Sequence, residues 1–441
     1  MAKLFKCPNC GGRLVFDPDK QDMLCTSCQN EYAVKDIPSE DANMDTLVCP
    51  TCGGQIIASQ FDGMEFCPYC GEQISNAEQF SGNDEQTPEY IIPFHFGKKQ
   101  VLDRYQKVTT HVPFLPRELK SSDGIKHIVG MYIPYWIYKG SAVGQITVPV
   151  IHKDIDEDDD TITTTTTTGD MLANVRLSPL TVGQDASESL NDYASDRTEP
   201  FYYEDMRPFD PNYTAGFYAE NASADSDDYE DYAKSAANDI IHQYINDEAY
   251  RHDDFDTLDY YTKSLYHRNG VTGAYFPYWF VTTKRRNRVS YTMINGQTGS
   301  AYTELPIDKK RFTIAASMLS LVIAVLVYFL IGTVELSTIA MISAGIGAGM
   351  MIVSIFQSRS IEEKEGKINP LIFLPSGITI ALSLTLLAIN PVSDTPYIII
   401  LAIAIISAIW TGLQIVDNYN IVASNPLPQF EENRGDLDGR D

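Results

Sequence analysis

The eight cysteines of this chain all lie within its first 70 residues and form one pattern written twice. Each half contains two Cys-x2-Cys pairs, and each cysteine of the first half has a counterpart 42 residues later. Two such pairs at this separation have the spacing of a four-thiolate zinc ribbon, in which each pair forms a knuckle that holds two tetrahedral ligands. We therefore predict two structural Zn²⁺ ions. The ligands of the first are Cys7, Cys10, Cys25 and Cys28, and those of the second are Cys49, Cys52, Cys67 and Cys70.

The residues beside the knuckles favour metal over a disulfide framework, which is the alternative. Gly11-Gly12 and Gly53-Gly54 follow the first knuckle of each repeat, where the backbone must fold tightly and positive φ is expected. Repeats this short cannot build a sufficient core, so metal binding must supply folding free energy. Zinc–thiolate sites also imply a reducing compartment.

Changes in composition divide the 441 residues into several units. The predicted fold class is multidomain, with two small β zinc ribbons, a soluble α+β domain built on an antiparallel sheet, and a four-helix transmembrane bundle. The predicted boundaries are 1–36 and 44–78 for the ribbons, 79–90 for a polar linker, 91–308 for the α+β domain, 312–416 for the bundle and 417–441 for a tail.

Four apolar stretches define the C-terminal block, and none contains an internal Asp, Glu, Lys, Arg or His. Each approaches the ~20 residues that a helix needs to span a bilayer. A buried soluble helix is the alternative for any one stretch, but four in succession favour a membrane. The predicted spans are about 312–331, 336–356, 371–389 and 397–416.

Flanking charges predict the orientation of these spans. Lys309, Lys310 and Arg311 precede the first span, and Arg359, Lys364 and Lys367 lie between the second and the third, whereas the two short turns carry no Lys or Arg. Both termini are therefore predicted to be cytoplasmic in a multi-pass cell-membrane protein. The spans lack the charged groups that transporters keep at depth, which favours an anchor.

The middle of the chain reads as an α+β domain with a helix at 98–110, a helix at about 227–249, and strands at 128–138, 142–151, 275–283 and 288–294. An acidic run at 154–160 precedes six threonines and predicts a solvated hairpin tip leading into a threonine-rich strand. The segments 132–136 and 275–279 share an aromatic–proline–aromatic pattern. We interpret them as strands of one core, with a peptide-binding groove as the alternative.

Charge and missing motifs limit the function classes. The net charge is −26, and residues 1–80 contain five basic residues against twelve acidic ones, so these ribbons lack the cationic patch that nucleic acid requires. No P-loop, H-E-x-x-H or G-x-S-x-G string occurs, and the seven histidines are scattered. The sequence predicts no catalytic residues and no organic cofactor.

Several segments follow one another in order: the two CPxCGG-type knuckles and residues 91–94 (IIPF), 130–136 (GMYIPYW), 208–220 (PFDPNYTAGFYAE) and 295–299 (NGQTG). In these segments and their order the chain resembles a family of bacterial membrane proteins with N-terminal zinc ribbons. Its members are labelled transcription-factor-IIB-type zinc-ribbon proteins, or helicase-like or primosomal-protein-like, labels that follow from the ribbon alone. The resemblance implies this architecture but no particular activity, and the acidic threonine-rich hairpin and the second ribbon depart from it.

Together these features predict a membrane-anchored cytoplasmic adaptor or scaffold that is not an enzyme. Its expected partners are the lipid bilayer and cytoplasmic proteins, and homo-oligomerisation stays open because Gly345 and Gly349 form a small-residue face on the second span. A nucleic-acid-binding protein at the membrane is the alternative function, and a transporter component is a further one.

Overall fold

The computed structural model describes residues 5–38, 44–48, 55–59, 78–80, 88–110, 112–120, 125–158, 161–187, 190, 192–252, 255–257, 265–285, 288–303, 305–330, 335–362 and 370–423. These residues form an N-terminal small-β element, a mixed α+β sheet domain and a C-terminal helical region.

The N-terminal element is a three-stranded sheet in the order β1 (Leu14–Asp17), β2 (Asp22–Cys25) and β3 (Glu31–Tyr32). Strands β1 and β2 form an antiparallel hairpin in which Leu14 faces Cys25 and Asp17 faces Asp22. The turn between them carries Asp17-Pro18-Asp19, residues that favour chain reversal. The hairpin places the second cysteine pair beside the first.

The central domain is built on a twelve-stranded sheet. Its strands are β4 (Met44–Val48), β5 (Gln55–Ser59), β6 (Glu78–Phe80), β7 (Tyr90–Ile91), β8 (Ile125–Asp158), β9 (Thr161–Asp185), β10 (Arg207–Pro208), β11 (Tyr218–Ala219), β12 (Phe255–Thr257), β13 (Tyr266–Arg285), β14 (Arg288–Asn295) and β15 (Ala301–Thr303). The sheet predicted as antiparallel is a mixed one: most neighbouring strands pair antiparallel, but β11 runs parallel to β8 and β7 runs parallel to β13.

Strand β8 joins the two strands predicted at 128–138 and 142–151 into one element of 34 residues. The predicted break corresponds to a bulge between Gly140 and Ala142. A Cβ at Gly140 would lie 2.2 Å from the ring of Tyr266, so the glycine permits close packing rather than ending the strand. Beyond the bulge, β8 and β9 form the predicted hairpin, with Asp158 opposite Thr161 near its tip.

The two aromatic–proline–aromatic segments pair directly with each other in the centre of the sheet. Ile133 faces Phe276, and each proline faces a tyrosine of the other strand, as in the Pro134–Tyr275 pair. Tyr132, Tyr278 and Trp279 are at most 2% exposed. Their main role is therefore core packing, as the sequence predicts.

Helices cover this sheet. They are α1 (Lys98–Thr110), α2 (Arg117–Lys120), α3 (Asp192–Thr198) and α4 (Glu230–His252). The first and the last occupy the places predicted from periodicity. Helix α4 buries Ala233, Ala237, Ile241 and Ile245 in the core cluster that includes β8 and β9.

The C-terminal region contains α5 (Lys309–Leu330), α6 (Leu336–Glu362), α7 (Leu374–Ile389) and α8 (Thr395–Ala423) in the four predicted places. Among the described residues, α6 and α8 contain the two stretches that are long and apolar enough to cross a membrane, Leu336–Arg359 and Thr395–Asn420. Helix α7 has 16 residues, about 24 Å at 1.5 Å per residue, which is shorter than a ~30 Å hydrocarbon core.

These helices expose apolar side chains and bury small polar ones. Leu326, Ile352 and Ile406 are 54–66% exposed, whereas Ser343 and Ser383 are completely buried. In water this arrangement would leave a large apolar surface unprotected. It is the arrangement expected of helices that contact lipid.

Hydrogen bonds tie the helical region to the sheet domain, since Arg311 Nη1 at the start of α5 donates to the carbonyl of Leu115, between α1 and α2, at 3.0 Å. The Ile307 amide donates to Asn420 Oδ1 at 2.6 Å, and Asn420 Nδ2 donates back to the Ile307 carbonyl at 3.0 Å. Lys309 Nζ lies 2.7 Å from Asp417 Oδ2. The start of α5 and the end of α8 therefore lie together, at the end of the helical region that contacts the sheet domain.

Candidate metal centre

Four sulfurs meet at the N-terminal element. The Sγ atoms of Cys7, Cys10, Cys25 and Cys28 all lie within 4.8 Å of one another. Cys7 and Cys28 are 3.6 Å apart, and so are Cys10 and Cys25. A tetrahedral zinc ion with Zn–S bonds of about 2.3 Å needs sulfurs about 3.8 Å apart. The cluster can therefore hold a metal ion such as zinc, as predicted for the first repeat.

The two knuckles have matching backbone geometry. The Gly11 amide donates to the Cys7 carbonyl at 2.8 Å, and the Gln29 amide donates to the Cys25 carbonyl at 3.0 Å. The residue after each knuckle adopts positive φ, +69° at Gly11 and +63° at Gln29. Each turn also points an amide at a sulfur, since Gly12 N lies 3.4 Å from Cys10 Sγ and Cys28 N lies 3.4 Å from Cys25 Sγ. Such amides stabilise thiolates.

The glycine pair after the first knuckle meets two different requirements. Gly11 supplies the left-handed backbone. Gly12 permits close approach, because a Cβ there would lie 2.5 Å from Ser27 Oγ. Ser27 belongs to the second knuckle, so this contact sets the distance between the two ligand pairs.

The electrostatics of the cluster also favour a cation. Burial of Cys7 favours its neutral thiol, but hydrogen bonds from the Tyr32 hydroxyl and from the backbone of Cys10 and Asn9 outweigh burial and lower the pKa of Cys7 to about 6. At Cys10 the Gly12 amide favours the thiolate, yet the neighbouring sulfurs of Cys28 and Cys25 prevail and raise the pKa of Cys10 to about 12. Four thiolates cannot form together unless a cation offsets their repulsion, and Zn²⁺ supplies that charge.

The second predicted ligand set lies outside the described residues. Strands β4 and β5 flank its first cysteine pair and form a hairpin with Thr46 opposite Ile57. Strand β5 also joins the central sheet through Ile57 and Ala219. The second zinc site at Cys49, Cys52, Cys67 and Cys70 stays a prediction, and one cysteine cluster is evident in the described part of the chain.

The first ribbon docks on the sheet domain through its β1 strand. Phe16 is 3% exposed, and its ring meets Tyr213 edge to face at 5.2 Å between centroids. The Phe16 amide donates to the Ala215 carbonyl at 2.9 Å. Asn212 Nδ2 donates to the carbonyls of Val34 and Ile37 at 3.3 and 2.9 Å. The segment 208–220, one of the segments that carry the family resemblance, thus holds the ribbon in place.

The resembling segment 295–299 is a structural turn. Asn295 is fully buried and its Nδ2 donates to the carbonyls of Thr198 and Pro200, while its Oδ1 accepts from the amides of Gln297 and Thr298. Gly299 has a φ of +78°. The turn therefore fixes the end of α3 against β14.

We expect Gly11→Ala to weaken metal binding by about 1 kcal/mol, because an L-residue at this positive φ is strained although open space surrounds the position. Gln29→Ala is the matched control, since that position already holds a non-glycine residue at the same φ. Zinc transfer to a chelator of known affinity measures both. Equal effects of the two substitutions would contradict this account of the first knuckle.

A second group of titratable side chains, which sequence patterns did not reveal, lies between α3 and α4. The Tyr232 hydroxyl donates to Asp196 Oδ1 at 3.5 Å. Burial and then repulsion from Asp196 raise the pKa of Glu199 to about 7, and burial raises the pKa of Asp196. Perturbed carboxyl groups occur at functional sites and in structural clusters alike. Among the described residues, only the cysteine cluster gathers three or more His, Cys, Asp or Glu ligands.

The raised pKa of Glu199 predicts a pH dependence. The folded state binds this proton more tightly than the unfolded state, so unfolding free energy should fall as pH rises from about 4.5 to about 7. Glu199→Gln should flatten this decline in urea titrations repeated at several pH values. Because Glu199 is exposed enough for solvent screening, the effect should be small and salt-dependent. An unchanged pH profile in the variant would contradict the assignment.

The aromatic segments also border a surface cavity of about 270 Å³. Trp136, Gly273 and Pro88 line it, and Trp136 Nε1 is held by the Ala224 carbonyl at 2.9 Å. Within the two segments, the peptide-binding groove could therefore form only on the side of the sheet that carries Trp136. The other large aromatic side chains of the segments are buried.

Comparison with known proteins gives one distant relative. Uncharacterized protein YdjG of Bacillus subtilis (strain 168) is 27% identical over 315 residues, which cover 69% of this chain and 90% of that protein. No protein-family model matches the chain, and no solved structure matches it. The relative's name assigns no activity, so the functional argument depends on geometry.

Proposed function

We propose that this protein is a membrane-anchored cytoplasmic adaptor or scaffold, in which a structural zinc ribbon and the sheet domain form one body that recruits protein partners. The observation that carries the proposal is the continuous set of contacts from the cysteine cluster through the sheet domain to the apolar helices. A protein partner that binds the ribbon or the sheet domain would therefore be held at a fixed position relative to the membrane.

The anchor is the C-terminal helical region. Its outward faces are apolar and its buried faces carry small polar residues, which is the reverse of a soluble bundle. Helices α6 and α8 supply two spans by length, and α5 and α7 complete the proposed multi-pass bundle. In α5, Met318, Leu319 and Leu321 are each more than 60% exposed, a surface that lipid would cover.

The placement of charges supports cytoplasmic termini. The Lys309–Asp417 contact puts the basic start of α5 beside the end of α8. Ile339 and Tyr397 share a cluster near the starts of α6 and α8, so these helices run parallel and Arg359 lies at the same end as Lys309. The basic residues thus gather on the side of the sheet domain, as the positive-inside rule requires of a cytoplasmic face.

The β8–β9 hairpin is the surface that best fits a protein partner. From about residue 162 to residue 170 each side chain of β9 is exposed, and among the described strands β9 pairs with β8 alone. On the facing strand Asp154 lies opposite Thr165 and its side chain is exposed, and the sequence from 154 to 160 is mostly acidic. An exposed strand edge beside carboxylates suits a basic, extended segment of a partner.

Nucleic-acid binding by the first ribbon is less well supported. Of its described basic residues, Lys20 is paired with Glu31, and the cluster of aromatic contacts covers the β1 face. The nucleic-acid alternative therefore becomes an outcome of the experiment below.

The test uses the full chain in its native host membrane. We expect the intact protein to resist alkaline carbonate extraction and a chain ending at residue 304 to become soluble. A photo-crosslinking residue at Thr164 on the exposed hairpin should give discrete protein adducts. The matched control is the same residue at Ile406, which faces outward from α8 and should crosslink to lipid.

Each outcome decides one part of the proposal. Carbonate extraction of the intact chain would overturn the anchor. Adducts to nucleic acid instead of protein at Thr164 would favour the alternative function, and the absence of any adduct there would remove the hairpin as the recruiting surface.

A further inference from the structure

The buried polar residues of the helical region fall into two classes. Some bond their own helix, as Ser343 Oγ does to the Ile339 carbonyl at 2.9 Å and Ser383 Oγ does to the Thr379 carbonyl at 2.8 Å. Others have buried polar atoms with no hydrogen-bond partner among the described residues. These are Ser354 Oγ, Ser358 Oγ, Thr411 Oγ1 and Asn418 Nδ2.

The four residues of the second class are all more than nine-tenths buried, with exposures of 0% for Ser354, 2% for Thr411 and 8% for both Ser358 and Asn418. A buried polar group without a partner destabilises the fold, because it has lost its hydrogen bonds to water. Four in one helical region would be a heavy cost, and such groups in native proteins usually bind ordered water or a ligand.

Helix geometry places the four residues towards the same end of the helical region. Helices α6 and α8 run parallel, with Ile339 and Tyr397 in one cluster. At 1.5 Å per residue, Ser354 lies about 22 Å along α6 from Ile339, and Thr411 lies about 21 Å along α8 from Tyr397. Ser358 and Asn418 follow one to two turns later. All four lie towards the end of the region that contacts the sheet domain.

We propose that α6 and α8 enclose a hydrated polar site, formed by Ser354, Ser358, Thr411 and Asn418, whose ligands are water molecules that enter from the side of the sheet domain. The inference rests on the membrane location in the proposed function, because lipid around the helices would separate these buried groups from bulk solvent. It goes beyond an anchor, since it gives the bundle an internal aqueous site.

The chemistry of the four side chains indicates which kind of ligand they can bind. The partnerless atom of Asn418 is the amide nitrogen, which donates hydrogens and cannot coordinate a cation. The three hydroxyls both donate and accept, and no ionisable side chain is among the four. Water, with one acceptor oxygen and two donor hydrogens, meets each of these groups, whereas a metal ion would leave Asn418 unsatisfied.

Two neighbouring helices pack beside the proposed site. The Ser376 hydroxyl lies 3.7 Å from Met351 Sδ, so the start of α7 meets α6 just before Ser354. A Cβ at Gly412 would lie 3.2 Å from Phe312, so the start of α5 covers α8 beside Thr411. The start of α7 and the start of α5 therefore pack beside the proposed site.

Accessibility of introduced cysteines tests the proposal in full-length protein reconstituted in nanodiscs. Ser354→Cys and Thr411→Cys should react with a small water-soluble thiosulfonate about 10-fold or more faster than Ser343→Cys, since the reaction needs a hydrated thiolate. Ser343 is a matched control because it is equally buried, lies at a similar depth from the opposite end of α6, and bonds its own helix. Peptide mass spectrometry separates these sites from the native cysteines.

A second measurement controls for the possibility that the cysteine variants disturb packing. Ser354→Ala and Thr411→Val remove hydroxyls at nearly constant shape, so they should lower Tm if water binds there. Unchanged or raised Tm in both, or reaction rates equal to that of Ser343→Cys, would overturn the hydrated site. Carbonate resistance of the same variants reports the anchor separately, so failure of this inference is distinguishable from failure of the proposed function.

Discussion

Replacing Cys25 with serine should release one equivalent of zinc and unfold residues 5–38. Cys25 is completely buried, and its sulfur accepts a hydrogen bond from the Cys28 amide at 3.4 Å. The substitution therefore places serine, a weaker zinc ligand, at the most buried of the four cysteine positions. Structural zinc supplies about 10–16 kcal/mol of apparent binding free energy in isolated zinc fingers at neutral pH. We expect this substitution to have the largest effect of any in the chain.

Because the ribbon shares its core with the sheet domain, the loss of structure in Cys25→Ser should extend into the sheet domain. Phe16, Phe94 and Trp279 belong to one cluster of buried residues, and Trp279 Nε1 donates to the Phe96 carbonyl at 3.2 Å. Loss of the ribbon would expose one side of this cluster. Amide exchange should therefore accelerate in β1 and β2 and also in the segment around Phe94.

The measurements are zinc per chain by mass spectrometry and amide exchange in detergent. Thr26→Ser is the matched control, because it lies beside Cys25 in an exposed position and keeps its hydroxyl bond to the Arg13 carbonyl. Retained zinc in Cys25→Ser would contradict the assignment of the first site. Two zinc ions in the unmodified chain would support the second cysteine set, and one would overturn it while leaving the first intact.

The metal site was predictable because its information is local. Knuckle spacing, the following glycines and the hairpin between them lie within about 25 residues, and the structure confirms each at Cys7–Cys28. The docking of the ribbon was not predictable in this way. The ring of Phe16 packs against Tyr213 and Phe217, which are some 200 residues away in sequence.

The same distinction applies to the other elements. Periodicity located α1 and α4, whereas the predicted break between 138 and 142 is a bulge inside one strand, where Gly140 packs against Tyr266 of β13. In the helical region, composition identified the apolar stretches. Only the rotation of each helix shows that Ser354 and Thr411 face inward, and rotation depends on packing against neighbouring helices rather than on local sequence.

Phe16→Ala should separate docking from metal binding. Phe16 contacts Tyr213 and Phe217, and Phe217 stacks on Phe94 with centroids 4.1 Å apart, so Phe16 joins the ribbon to the aromatic core of the sheet domain. Truncating a buried phenylalanine costs about 3–5 kcal/mol. We expect that loss of stability with zinc content unchanged, because the knuckles themselves are intact.

Urea unfolding followed by tryptophan fluorescence and zinc analysis of the same samples measure this prediction. Phe16→Leu is the matched control, since it keeps most of the apolar volume and should cost less than the alanine variant. Unchanged stability in Phe16→Ala would mean that the ribbon moves independently and could bind partners through its β1 face. The predicted loss would mean that this face is occupied by the chain's own segment 208–220, so that recruitment must use other surfaces, of which the β8–β9 hairpin is the best placed.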